Sequence, residues 1–225
     1  DADAVIGGLT RNYPETVRPA LEIVGTEKGV KKIAGMYIIV TKRGPLFLAD
    51  TTVNFNPTSE ELADITLMVA KEVRNFGIVP RVALLSYSNF GSSNTAEAIL
   101  VRKARELLKE RSPDLIADGE MQGILAFNKD ILKENYPFSE LADTDVNILI
   151  FPNLSAGNIA YNLLQELGGF DTIGPVLLGL AKPVHVLQLG SSVRSIVNMV
   201  LIAVADAQQK CPERKPDADK EQRWW

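Results

Sequence analysis

Between residues 81 and 167 the chain repeats one change of period three times, and that alternation narrows the folds open to it. Residues 81–86, 115–118 and 146–151 are apolar runs of strand length, and each is followed by helical spacing, at 95–111, 128–134 and 155–167. The run 146–151 is nearly continuous in apolar residues and stops at Pro152, so it lacks the alternation of a strand with one wet face. Strands buried on both faces and joined by helices belong to a mostly parallel, doubly covered sheet, which makes the chain α/β.

The flanking segments add to this frame. Residues 4–8 read as a short strand entering a Gly-Gly turn, and 13–24 as a helix with Pro14 near its start. Two strand-like runs, 34–41 and 45–50, are joined by Lys42-Arg43-Gly44 and predict a hairpin. Ser59, followed by Glu60 and Glu61, reads as the N-cap of a helix over 62–76. Gly168-Gly169 closes the helix that begins at Ser155. Near the end, AKPVHVLQLGSSVR reads as a buried strand through Val184, Val186, Leu187 and Leu189, a Gly190-Ser191-Ser192 turn, and then an apolar helix over 196–205. The segment 211–225 is a polar, charged tail, unusual in ending on Trp224 and Trp225.

Composition removes several function classes. With 225 residues, 46% of them hydrophobic, the chain can bury a sizeable core, as one large domain or two small ones. A formal net charge of −4 is opposite to what a duplex nucleic-acid binder needs, so no nucleic-acid partner is expected. One cysteine, Cys211, and one histidine, His185, exclude an internal disulfide and a Cys/His zinc site, and no metal is expected. No run approaches the roughly 20 apolar residues of a membrane span. A cytoplasmic, non-membrane location follows as the expectation. The chain starts at Asp1 directly before a strand, and we read it as part of a longer polypeptide.

Five features could carry chemistry. Gly91-Ser92-Ser93 and Gly190-Ser191-Ser192 each stand between a strand and a helix, where free N–H groups and hydroxyls can hold a phosphate, although the same residues serve in ordinary helix capping. FPNLSAGNIAYNLL forms a third such corner, with Asn153, Ser155, Gly157 and Asn158 at its tip, open to the same two readings. His185 lies between two valines in a strand and reads as structural rather than as a general base. Asp118-Gly119-Glu120 offers paired carboxylates, a pattern equally common in turns.

In order along the chain stand ETVRPAL, ADTTVN, LLSYSNFGS, ADGEMQ, FPNLSAGNIAYNLL and IGPVLLGLAKPV. Together they resemble the phosphate acetyltransferase family over about residues 1–210, and VHVLQLGSSVRSIVNM is most similar to the transacetylase-like carboxy-terminal domain of large bacterial NADP-dependent malic enzymes. The resemblance implies a two-domain α/β/α fold like that of isocitrate and isopropylmalate dehydrogenases, at least dimeric, with its site in the interdomain cleft. On this chain, residues 1–28 and 172–210 would form a first, discontinuous domain lacking its amino-terminal part, and 29–171 the second.

Transacetylases of the family carry Asn-Asp-Leu-Ser-Arg-Gly where this chain has His185, Val186, Leu187, Gln188, Leu189 and Gly190. There the serine orients the coenzyme A thiol, the arginine binds the acyl phosphate, and an aspartate at the position of Ser195 is taken as the base. Gln188, Leu189 and Ser195 supply none of these functions. Arg18 in ETVRPAL matches an arginine implicated in acyl-phosphate binding. The resemblance therefore implies a non-catalytic regulatory domain that binds acetyl-CoA or coenzyme A through Arg18, Ser92, Asn153, Asn158, Gln188, Ser191, Ser192 and Arg194. NADP and a divalent metal would belong to an amino-terminal malic enzyme domain of the same polypeptide. An active acyltransferase and a purely structural dimerisation module are the alternatives.

Overall fold

A computed structural model describes residues 2–10, 13–188 and 190–210. Leu189 and the tail 211–225, with Cys211, Trp224 and Trp225, lie outside the described residues. In chain order the elements are β1 (Val5–Gly7), α1 (Tyr13–Ile23), β2 (Ala34–Thr41), β3 (Gly44–Ala49), α2 (Ser59–Asn75), β4 (Arg81–Leu85), α3 (Ala96–Arg111) and β5 (Ile116–Met121). They continue with α4 (Gly123–Phe127), α5 (Lys129–Asn135), β6 (Ile148–Ile150), α6 (Leu154–Gly168), β7 (Asp171–Leu178), β8 (Val184–Val186) and α7 (Val193–Lys210).

Six strands form one mixed sheet in the order β5-β4-β6-β3-β2-β7. β5, β4, β6 and β3 are mutually parallel, and β2 runs against both β3 and β7. The sheet is covered on both faces, and the two-residue side-chain period sorts its residues between them. Met36, Ile38, Phe47, Val82, Leu84, Ile148 and Ile150 join residues of α2 and α3 in one core. Their strand neighbours Tyr37, Ile39, Leu48, Ala83, Leu85 and Leu149 join α4, α5 and α6 in the other. This is why these strands read as continuous apolar runs.

A second, two-stranded sheet pairs β1 with β8 in parallel, packed with α1 and joined to the large sheet by the core of Val17, Ala20, Ile33, Leu177, Leu180, Val184 and Val186. The predicted hairpin is present as β2 and β3, turning at Lys42-Arg43. The cap of α2 is Thr58 instead of Ser59: its hydroxyl accepts from Glu61 N–H while the Glu61 carboxylate accepts from Thr58 N–H, a capping box one residue earlier than expected. Gly169, with φ of 58°, ends α6 in the left-handed conformation.

Three elements differ from the sequence expectation, the first being the short α4, which stands just ahead of the helix expected over 128–134. β7 was not anticipated, and residues 172–178, placed above with the first domain, hydrogen-bond along β2 in the six-stranded sheet. The strand expected to run to Leu189 is shorter, ending at Val186.

Candidate functional site at the carboxyl edge of the sheet

The parallel strands β3, β4, β5 and β6 all end at one edge, where the connecting loops converge. The loop after β3 is built around Asp50, which is buried. Its Oδ1 accepts from the N–H groups of Gly35 (3.3 Å), Thr52 (2.8 Å) and Val53 (3.1 Å), and its Oδ2 from Asn54 N (3.0 Å) and Nδ2 (2.5 Å). Burial pushes the Asp50 carboxyl up, and these donors oppose that rise. Gly157, in the first turn of α6, lies so close that an added Cβ would stand 2.4 Å from the Asp50 carbonyl oxygen. One residue on, Asn158 Nδ2 donates to Thr51 O at 3.3 Å. The loops after β3 and β6 are thus locked together, and Asn153 serves as the α6 N-cap, its side chain accepting from Ala156 N–H at 3.0 Å.

Tyr37 of β2 stacks on Tyr161 of α6, with ring centroids 3.6 Å apart and planes 14° from parallel. Burial raises the Tyr161 phenol, against hydrogen bonds with Thr172 and Tyr37. Gln188, just after β8, donates from Nε2 to the Tyr37 hydroxyl at 2.5 Å, across 151 residues of sequence. This bond ties the tip of the two-stranded sheet to the large one. Gln188 therefore meets the stacked pair Tyr37 and Tyr161, which the sequence reading did not single out. Their signal was a tyrosine at an inward strand position and another one turn past Gly157, each bringing a hydroxyl into an apolar face.

The serines of the second Gly-Ser-Ser turn are engaged locally. Ser191 Oγ donates to Gln188 O at 2.8 Å and accepts from Gln188 N–H at 3.1 Å, closing the turn. Ser192 caps α7 by accepting from Ser195 N–H at 3.1 Å, and the two hydroxyls lie 2.9 Å apart. Arg194 pairs with Asp171 at 2.8 Å, both on the surface. Arg18 is exposed on α1, on the same helix as Thr16, whose buried hydroxyl has no partner among the described residues.

Ser92 belongs to a separate corner, after β4. There the protein's own carboxylate takes the place an anion would hold: Glu120 Oε1 accepts from Gly91 N–H (2.8 Å), the Ser88 hydroxyl (2.9 Å) and Arg102 Nη2 (3.0 Å). The Ser92 hydroxyl accepts from Asn89 N–H at 2.9 Å and lies 3.1 Å from that of Ser88. The helix that follows is capped by Thr95, not by these serines. Burial alone would raise the Glu120 carboxyl, but Arg102 and the Gly91 and Ser88 donors hold it below the usual carboxylate range. Asp118 likewise pairs with Arg105 at 3.2 Å and accepts from the Ser139 hydroxyl at 2.8 Å. The Asp118/Glu120 pair is therefore two separate structural ion pairs, and not an acid/base couple.

His185 is fully buried, with Nε2 3.6 Å from Asp206 Oδ2 on α7. Asp206 also pairs with Lys210, and despite burial these partners hold its carboxyl low. No group of three or more His, Cys, Asp or Glu side chains suited to a metal occurs among the described residues. None of the described helices is long and apolar enough to cross a membrane.

Comparison with known proteins fits this arrangement. Residues 1–204 match the family described as phosphate acetyl/butaryl transferase. The chain is 48% identical over 209 residues to the NADP-dependent malic enzyme of Escherichia coli, covering 92% of this chain and 27% of that protein. It is 39% identical over 206 residues to the phosphate acetyltransferase of Bacillus subtilis, covering 92% of this chain and 64% of that one. A phosphotransacetylase structure from Streptococcus pyogenes superposes with a TM-score of 0.87 at 37% identity, over 92% of this chain and 64% of the other. The chain thus spans 64% of each of these two transacetylases and 27% of the Escherichia coli malic enzyme. Its α/β fold with a mixed sheet is that of the phosphotransacetylases, and the chain belongs to the phosphate acetyl/butaryl transferase family.

Proposed function

We propose that this chain is a transacetylase-like regulatory domain of an NADP-dependent malic enzyme, binding acetyl-CoA or coenzyme A without transferring the acyl group. The observation that carries the reading is the tip beyond β8. Gln188 there is bonded to Tyr37, and Ser195 is a hydroxyl bonded to Ser192. Neither is a base near neutral pH, and neither neutralises a phosphoryl group. The similarity to two NADP-dependent malic enzymes, at 47% and 48% identity, supports the parent assignment.

In this reading the cleft lies between the two-stranded sheet and α6, in a two-lobed arrangement like that of isocitrate dehydrogenases. Arg18 and the amides of Asn153 and Asn158 face the ligand's polar groups, and Gln188 lies at the thioester end. The upstream malic domain, in the cytoplasm, would convert malate and NADP to pyruvate, carbon dioxide and NADPH with a divalent metal, and ligand bound here would shift its activity by its differential affinity for two states. Chains associate at least as dimers.

Calorimetry on the full-length protein tests the reading. Acetyl-CoA should bind with one site per chain and should change the rate of malate oxidation at the same concentrations. An absence of binding would instead favour a purely structural module. The second reading, an active acyltransferase, draws on the 39% identity to the Bacillus subtilis phosphate acetyltransferase and on Arg18, which is exposed on α1.

A further inference from the structure

The opposite, amino-terminal edge of the six-stranded sheet carries a cavity of about 350 Å³, where the β2/β3 turn, the starts of β4 and β6 and the end of α4 meet. This size falls in the range of small-molecule sites, roughly 300–1,000 Å³. Its wall is partly apolar, with Ile78 and with Phe127, whose side chain is 49% exposed. Three cations stand around it: Arg43, Arg81 and Lys129.

All three act on a single carboxylate. Lys129 pairs with Asp145 at 2.8 Å, and Arg81 and Arg43 lower the Asp145 carboxyl further through charge. One negative charge facing three positive ones leaves two uncompensated, in a chain whose net charge is −4. The walls are set in advance. Asn147 accepts from Arg81 N–H at 2.8 Å and donates to Val79 O at 2.9 Å, and the Thr41 hydroxyl braces the turn bearing Arg43 by accepting from Arg43 N–H at 3.1 Å. Excess cations beside an exposed aromatic ring suit a ligand with an anionic group and a flat apolar body.

We propose that this cavity is a second ligand site, distinct from the carboxyl-edge cleft, for an organic phosphate of nucleoside monophosphate size. The phosphate lies toward Arg43 and Arg81, and the base lies against Phe127. The site does not depend on the acetyl-CoA reading, because it uses none of the same residues.

Calorimetry with AMP, adenosine and inorganic phosphate on the full chain tests it. AMP should bind with one site per chain, with adenosine and phosphate each at least about tenfold weaker, since each supplies half of the recognition. Arg43→Ala should weaken AMP by about tenfold and Phe127→Ala by several-fold; both side chains are exposed, and unchanged melting temperatures would verify the fold. Two results would each overturn the proposal: no AMP binding at millimolar concentration, or wild-type affinity in both variants.

Discussion

At the scale of single residues, buried charge is held by dedicated partners, and this determines how substitutions behave. The Glu120 side chain is fully buried against Arg102, so Arg102→Ala removes its paired cation, leaves the carboxylate to the Gly91 and Ser88 donors, and should lower stability near neutral pH. The pH dependence has a definite sign. In the native chain the Glu120 carboxyl lies below its ordinary value of 4.5, so its contribution is complete above that pH and is lost as pH falls through the lower folded value. Without Arg102 the carboxyl should lie higher than in the native chain, so the variant's deficit should shrink as pH is lowered. Urea melts at pH 7 and pH 5 measure this, and a gap that widens toward acid would contradict it. A smaller effect is expected at Gln188, where Gln188→Ala removes one partly buried hydrogen bond to Tyr37 and should cost about 1 kcal/mol. An unchanged denaturation midpoint would show that the bond contributes nothing in solution.

At the scale of elements, α6 depends on close backbone approach. Gly157→Ala would drive a methyl group to 2.4 Å from the Asp50 carbonyl, and the backbone there cannot yield without disturbing five donors to the Asp50 carboxylate. The expected loss is about 1–3 kcal/mol, as for other overpacked cores, measured by thermal or denaturant melting. Gly123→Ala, with no atom within 4 Å of the added methyl, is the control. Period and punctuation made most elements legible: the doubly buried strands, the Lys42-Arg43 hairpin and the Gly169 stop follow from local residue choice. β7 escaped because Gly174-Pro175 reads as a strand breaker. It survives because β7 is an edge strand of the sheet, where a missing donor is tolerated. The site was legible only in part. Asn153 and Asn158 stand at the corner their motif indicated, whereas the Tyr37–Gln188 bond joins segments 151 residues apart and leaves no local pattern. Nor does a Gly-Ser-Ser turn reveal that a distant Glu120 already fills it.

At the scale of the whole molecule, α6 presents Ile159, Leu163 and Leu167 at successive turns, 58%, 54% and 84% exposed, on a helix whose other face carries Tyr161 and Gly157. The spacing is symmetric about Leu163, so in the proposed dimer an antiparallel second copy on this face would set Ile159 against Leu167. Leu163→Glu should convert dimer to monomer in sedimentation equilibrium, and an unchanged mass would place the contact elsewhere. Because α6 also carries Asn158 and Tyr161, dimerisation and ligand binding would share one helix. The proposed function is binding without transfer at a tip where Gln188, Leu189 and Ser195 supply neither a base nor a cation. It is tested most directly by measuring acetyl phosphate formation from acetyl-CoA and phosphate in the full-length protein, at acetyl-CoA concentrations that saturate its binding. No turnover above the uncatalysed background is expected, and a rate comparable to that of the Bacillus subtilis phosphate acetyltransferase would contradict binding without transfer.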